Sequence, residues 1–134
     1  MIHISAAYLI FGLAAGLFYH EAAYYTGYTG KSVLALVHGH ALVLGALVFL
    51  LVPVFMQVFH LQQHKTFHRF VCTYNTGLIL SLAFMTVRGT VQLFSLPISS
   101  FWDHMIGGLA GIGHVILSIG LYFLFRSLLA AIKE

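Results

Sequence analysis

Apolar residues run almost unbroken through four stretches, Ile2 to Tyr25, Ser32 to Phe59, Phe70 to Leu96 and Phe101 to Leu129. Polar residues collect in the short breaks between them. About 20 apolar residues suffice to cross the hydrocarbon core of a bilayer as a helix, so each stretch predicts a transmembrane span. Four such spans joined by short loops predict an all-α integral membrane protein, a left-handed up-down four-helix bundle forming one domain over residues 1–134.

Composition sharpens this picture. Of 134 residues, 60% are hydrophobic and 7% charged, which excludes the soluble class. Almost nothing is left outside the bilayer, so any chemistry must sit among the helices. The N-terminus lacks the basic region and small-residue cleavage site of a secretory signal, and the first span is therefore expected to be retained. The single cysteine, Cys72, has no partner for an internal disulfide or a thiol metal motif and reads as a packing residue.

Charge sets the orientation. The break from His60 to Arg69 carries Lys65 and Arg69, and the C-terminal end carries Arg126 and Lys133. Those sides are expected to be cytoplasmic, together with the N-terminus, because basic loops stay inside. Lys31 and Asp103 lie on the other side. The net charge of +3 thus reports topology and gives no reason to expect nucleic-acid binding. His60, His64 and His68, spaced four apart, could form a metal-binding stripe on a helical extension, but an interfacial loop explains them more simply, and His3 is terminal.

The interior histidines are another matter, because ionisable groups inside a span are costly and point to function. At about 1.5 Å per residue, His38 and His40 lie roughly 10 to 14 Å below the outer end of the second span. Arg88 is at roughly 14 Å in the third span, with Gln92 one turn above, and His114 at roughly 20 Å in the fourth. His20 and Glu21 stand above this layer. A lone histidine is ordinarily a hydrogen-bonded packing residue; three at similar depth beside an arginine suggest a ligand.

Glycine adds to the argument. Gly107, Gly111 and His114 share one face of the fourth span, and four glycines in seven residues around them leave room for something flat. Gly12 and Gly16, leading to His20, form a small-xxx-small pattern for close helix contact. A faint repeat, HALVLGALVFL from His40 and HVILSIGLYFL from His114, makes those two histidines counterparts. In a square bundle with neighbours 8 to 10 Å apart, the second and fourth helices are separated by a diagonal of roughly 11 to 14 Å, which suits two imidazoles on one iron.

Haem b is the cofactor this pattern favours, since neutral imidazole suits iron and an apolar slot suits porphyrin. The chain has no C-x-x-C-H, which excludes covalent attachment. Arg88 would answer the propionates, or pair with Glu21, or both. Two residues along a helix turn about 200°, so His38 faces away from His40. It would bind a second haem or metal, or serve as a hydrogen-bonded packing residue.

Two resemblances follow. The pieces FYHE, YTGYTGKSVLALVHGHALVLG, YNTGL, VRGTVQ and GIGHVILSIG resemble a small family of uncharacterised four-helix bacterial membrane proteins. That implies a bacterial cytoplasmic membrane and a span count, and no activity. HGHALVLG resembles the His-x-His helix of haem-copper oxidases and nitric oxide reductases. By that resemblance His40 would be a low-spin haem ligand, His114 its opposing ligand, and His38 would point to a second haem. Four helices lack the further histidines of a copper or non-haem iron centre, which argues against full oxygen or nitric oxide reduction.

The leading expectation is therefore a minimal bis-histidine cytochrome for electron transfer or redox and gas sensing, held at His38, His40, His114, Arg88 and Gly111. One rival is a copper- or zinc-binding or transporting protein using His20, His38, His40 and His114. Another is a cofactor-free accessory or assembly subunit. Below His114 only Ser118, Ser81 and Asn75 continue the polar path, which disfavours ion passage. A homodimer through the Gly12/Gly16 face is expected, and membrane location alone suggests a quinone or other redox partner.

Overall fold

The computed structural model describes residues 1–133. Four helices carry the fold: α1 (Ile2–Thr26), α2 (Leu34–Phe59), α3 (Lys65–Leu93) and α4 (Ser100–Ala131). Each is long and apolar enough to cross a membrane. Large apolar side chains such as Ile10, Leu13, Leu50, Ile79, Val115 and Phe125 cover their outer faces.

The helix ends have local causes. α1 stops where Gly27 adopts φ 64°, a left-handed conformation that suits glycine. The Tyr28 and Gly27 amides then donate back to the Ala23 and Tyr24 carbonyls, closing the end. α3 starts at Lys65, ahead of the apolar run, because a polar stretch at the interface can continue a helix that hydropathy does not mark. It ends at Leu93, three residues before the apolar run does. Pro97 disfavours helical geometry at Leu96, and Ser95 already turns the chain at φ 49°.

Successive helices run antiparallel. Between α1 and α2, Ser5 meets Ala46, Gly12 meets Leu42, and Gly16 meets His38. Between α3 and α4 the order is Thr66 with Ser127, Tyr74 with Gly120, Ser81 with Gly113, and Arg88 with Asp103. The α3–α4 hairpin is the most intimate contact in the molecule. A Cβ on Gly120 would stand 2.6 Å from Tyr74 Cα, one on Gly113 2.7 Å from the Ser81 nitrogen, and one on Gly77 2.8 Å from Leu117 Cα. Such spacing brings two backbones together in the manner of small-residue helix interfaces.

The α2–α3 contact is likewise backbone-close at Gly89, against Leu34. There Ser32 Oγ donates to the Gly89 carbonyl at 2.8 Å, and Gln92 Oε1 accepts from the Val33 amide at 2.8 Å. Gln92 thus satisfies a helix-start N–H that has no partner within α2.

α1 leans on α2 along its length and touches α3 mainly where Tyr8 donates to Asn75 Oδ1 at 2.6 Å, but it makes no extended contact with α4. The helices fan around α3 with α2 between α1 and α4, and the square is not closed. The Gly12/Gly16 pattern corrects one expectation: both glycines face α2 of the same chain and offer no free face to another protomer.

α2 is not uniform. Residues Ala41–Leu47 form a π-helical segment between the α-helical turns Leu34–His40 and Val48–Phe59, with Pro53 in the latter. A π segment widens the helix and loosens its carbonyls, and such segments are frequent at functional sites. Here side chains answer those carbonyls: Tyr74 Oη donates to Leu44 O at 2.8 Å and Ser5 Oγ to Ala46 O at 2.7 Å. Phe49, fully buried, lies between the rings of Tyr8 at 5.9 Å and Tyr74 at 5.8 Å.

Candidate functional site

His40 closes the first α-helical part of α2, directly before the π segment, and His114 sits midway along α4. Their rings meet across the cleft between the two helices, with centroids 5.6 Å apart and planes at 83°. Each ring is anchored in the same way. His40 Nδ1 lies 2.9 Å from the Leu36 carbonyl and His114 Nδ1 2.8 Å from the Ala110 carbonyl, one turn earlier on its own helix. A carbonyl oxygen can only accept, so in the neutral ring Nδ1 carries the proton and Nε2 keeps its lone pair. That is the tautomer of a metal-ligating imidazole whose other nitrogen is fixed by a backbone acceptor. Ser81 Oγ lies 3.4 Å from His114 Nδ1 and braces it from α3.

Some glycines near the two histidines are open. A Cβ placed on Gly39, Gly108 or Gly111 would meet nothing within 4 Å. These residues differ physically from Gly77, Gly113 and Gly120, where backbones touch. Sequence spacing alone groups all of them as small residues; the structure divides them into contact glycines and space glycines. A recess of about 290 Å³ lies beside Gly39, His40, Val43 and Leu44.

Arg88 stands above His114 on α3. Its Nε and Nη2 each donate at 3.1 Å to the two carboxylate oxygens of Asp103. The partner of Arg88 is therefore Asp103, and pairing with Glu21 is corrected: Glu21 lies 3.3 Å from His20 near the exposed C-terminal end of α1. Asp103 was legible in principle, since a hairpin turning at Pro97 puts Arg88 and Asp103 at similar distances from the turn. The third guanidinium nitrogen, Nη1, lies over Gly107, 3.0 Å from where a Cβ would be. Among the described residues it has no acceptor, so one fork edge is fixed by Asp103 and the remaining donors face the glycine side of α4.

His38 is exposed on the other side of α2, against Gly16 of α1. It shares no contact with the His40–His114 pair, as the helical rotation between them requires. Among the described residues no three of His, Cys, Asp and Glu converge as a metal site, so His20, His38, His40 and His114 are not assembled as one ligand set. The stripe of His60, His64 and His68 is broken as well. His60 takes φ 49°, a 3₁₀ turn follows over Leu61–Gln63, and His64 is extended before His68 enters α3.

Comparison with protein families found one match, over residues 1–131, to a family described as "Protein of unknown function (DUF2871)". Comparisons with curated proteins and with solved structures found no match.

Proposed function

Since the chain belongs to the DUF2871 family, whose description assigns no activity, we propose from its own residues that it is a haem b-binding membrane protein, a minimal bis-histidine cytochrome. The observation that carries this reading is the facing pair His40 and His114, each with Nδ1 tied to its own helix and Nε2 left as a donor to a metal.

The number of donors favours haem over zinc. With metal–nitrogen bonds of about 2.0–2.1 Å, two imidazoles opposite each other have centres roughly 6.3 Å apart, and at a tetrahedral angle roughly 5.1 Å. The observed 5.6 Å falls between these values, so the ring spacing alone does not choose between them. Structural zinc takes four protein ligands and catalytic zinc three, and here there are two. A planar macrocycle that fills the remaining positions itself suits two neutral imidazoles in a glycine-lined cleft.

His40 and His114 would hold the group, Gly39 and Gly111 would give it room, and Arg88 Nη1 would meet a propionate while Asp103 keeps the guanidinium in place. The bound haem would supply one-electron exchange, or binding of a small redox ligand that takes the place of one imidazole. The chain's part is to fix both imidazole tautomers, to exclude water with apolar helix surfaces, and to set a cation beside the acidic edge. A reduced-minus-oxidised optical spectrum of the purified protein tests the assignment. Colourless protein from haem-replete cells, carrying copper or zinc in stoichiometric amount, would install the rival.

The four helices are read as spans of a bacterial cytoplasmic membrane with both termini inside, supported by the apolar outer faces and by the basic residues of the Lys65 and Lys133 ends. Cysteines introduced at positions 65 and 133 are expected to be labelled from the cytoplasmic side only. Labelling from opposite sides would overturn this topology.

A homodimer is also proposed. The cleft between α2 and α4 is open along Val43 and Gly111, both exposed, so a haem edge there would meet lipid unless a second copy covers it. The mass in nanodiscs is expected to be twice that of the chain, and a strictly monomeric mass would refute the dimer.

A further inference from the structure

A second cavity lies on the opposite side of the fan, between α1 and α3. It is a groove of about 550 Å³ whose lining includes His3, Tyr8, Phe11, Asn75, Ile79 and Ala83. α1 and α3 run in the same direction, so the polar members share one end: His3 in the first turn of α1, then Tyr8 and Asn75 about one and a half turns further on. Phe11, Ile79 and Ala83 continue the groove toward the middle of the helices as an apolar channel.

The polar end is built. Tyr8 is held by its stack on Phe49 and donates its hydroxyl to Asn75 Oδ1 at 2.6 Å. With its oxygen engaged, Asn75 presents its amide nitrogen, a double donor with no acceptor among the described residues. His3 adds an imidazole at the membrane edge, also without a partner among them. No lysine or arginine lines the groove. A phosphate headgroup would call for such a cation; an amide and an imidazole donor without one suit the carbonyl oxygens of an uncharged ligand.

We propose that this groove binds a lipid-soluble quinone, its ring oxygens on Asn75 Nδ2 and His3 and its prenyl tail along Phe11, Ile79 and Ala83. The ligand's chemistry follows the cavity's: an apolar ring with two acceptor oxygens at the interface end, and a long hydrocarbon toward the core. This site is distinct from the His40–His114 cleft and its existence does not depend on haem.

Equilibrium binding of decylubiquinone to the full chain in nanodiscs tests it, with photo-crosslinking by an azido-quinone as a second readout. One saturable site per chain is expected, with crosslinks within residues 3–11 and 75–83. The Tyr8→Phe/Asn75→Leu double variant removes both members of the internal hydrogen bond without leaving one orphaned in an apolar setting. It should weaken binding about tenfold, as should His3→Phe, the scale of one lost hydrogen bond. Gly111→Leu, in the other cleft, should leave quinone affinity unchanged. Unaltered affinity in both groove variants, crosslinks elsewhere, or equal competition by decanol or phospholipid would overturn the site. If a variant fails to fold, the wild-type crosslink map decides. Protein purified without haem that still binds quinone loses only the cytochrome reading, whereas haem protein that binds no quinone loses only this one.

Discussion

Replacing His40 or His114 by alanine is expected to abolish the low-spin haem b spectrum or leave a five-coordinate, high-spin species. The two rings face each other from α2 and α4 with no third histidine converging on them among the described residues, so nothing at that depth can stand in for a lost imidazole. His38→Ala is expected to leave the signal largely intact, because His38 lies against Gly16 on the far side of α2. Arg88→Ala should weaken haem retention while sparing the axial spectrum. That change also orphans Asp103, and an unpaired charge in low dielectric is destabilising in itself. The Arg88→Gln/Asp103→Asn double variant, which drops both charges together, separates the two effects: retention should still fall although the fold no longer carries a lone carboxylate. Titration of apoprotein with haem, read optically, measures all of these. The reverse pattern, with His38→Ala removing the low-spin species and His40→Ala sparing it, would sink the assignment.

The second large effect concerns the α3–α4 hairpin. Gly77→Ala puts a methyl group into the Leu117 backbone, and Gly113→Ala puts one against both the hydroxyl and the backbone nitrogen of Ser81, and neither backbone can move aside as a side chain could. Overpacking of this kind costs about 1–3 kcal/mol, and the two helices would have to separate to accept it. Gly108→Ala and Gly111→Ala add the same methyl to open space within a helix and should leave stability unchanged or raise it by up to about 1 kcal/mol. Unfolding in mixed micelles with increasing SDS gives the comparison. Equal stability for the two pairs would mean that the close approach of α3 and α4 does not exist as described.

These contrasts mark what sequence can and cannot show. The four helices were legible because hydropathy and helix length follow from one requirement, a backbone hydrogen-bonded to itself within an apolar run. Their ends were less so: Lys65 to Arg69 are polar yet helical, and Leu93 ends α3 because of Pro97 and Ser95, which a hydropathy window cannot weigh. The His40 and His114 pairing was suggested by depth and by a faint repeat, and the structure brings those rings together. Depth says nothing of lateral neighbours, however. For that reason depth alone pairs Arg88 with Glu21, although Asp103 is nearer along the hairpin, and directs Gly12 and Gly16 to a second copy, although α2 of the same chain covers them. The π segment had no sequence signal; its loosened carbonyls are explained only once Tyr74 and Ser5, from two other helices, are seen to answer them.

The open fan also bears on how the chain is assembled. α1 and α2 form one hairpin, α3 and α4 another, and the second is cemented by direct backbone contact before anything else is required of it. As the chain leaves the ribosome, the first hairpin must wait for the second, joined to it chiefly through α2 and α3. His40 belongs to the early half and His114 to the late half. Any group gripped by both acts as a rivet across that seam, and its binding free energy becomes free energy of docking one half onto the other. If the proposed haem is that group, its supply during biogenesis would add to the packing at Gly89, Tyr74 and Phe49 in setting how firmly the two halves dock.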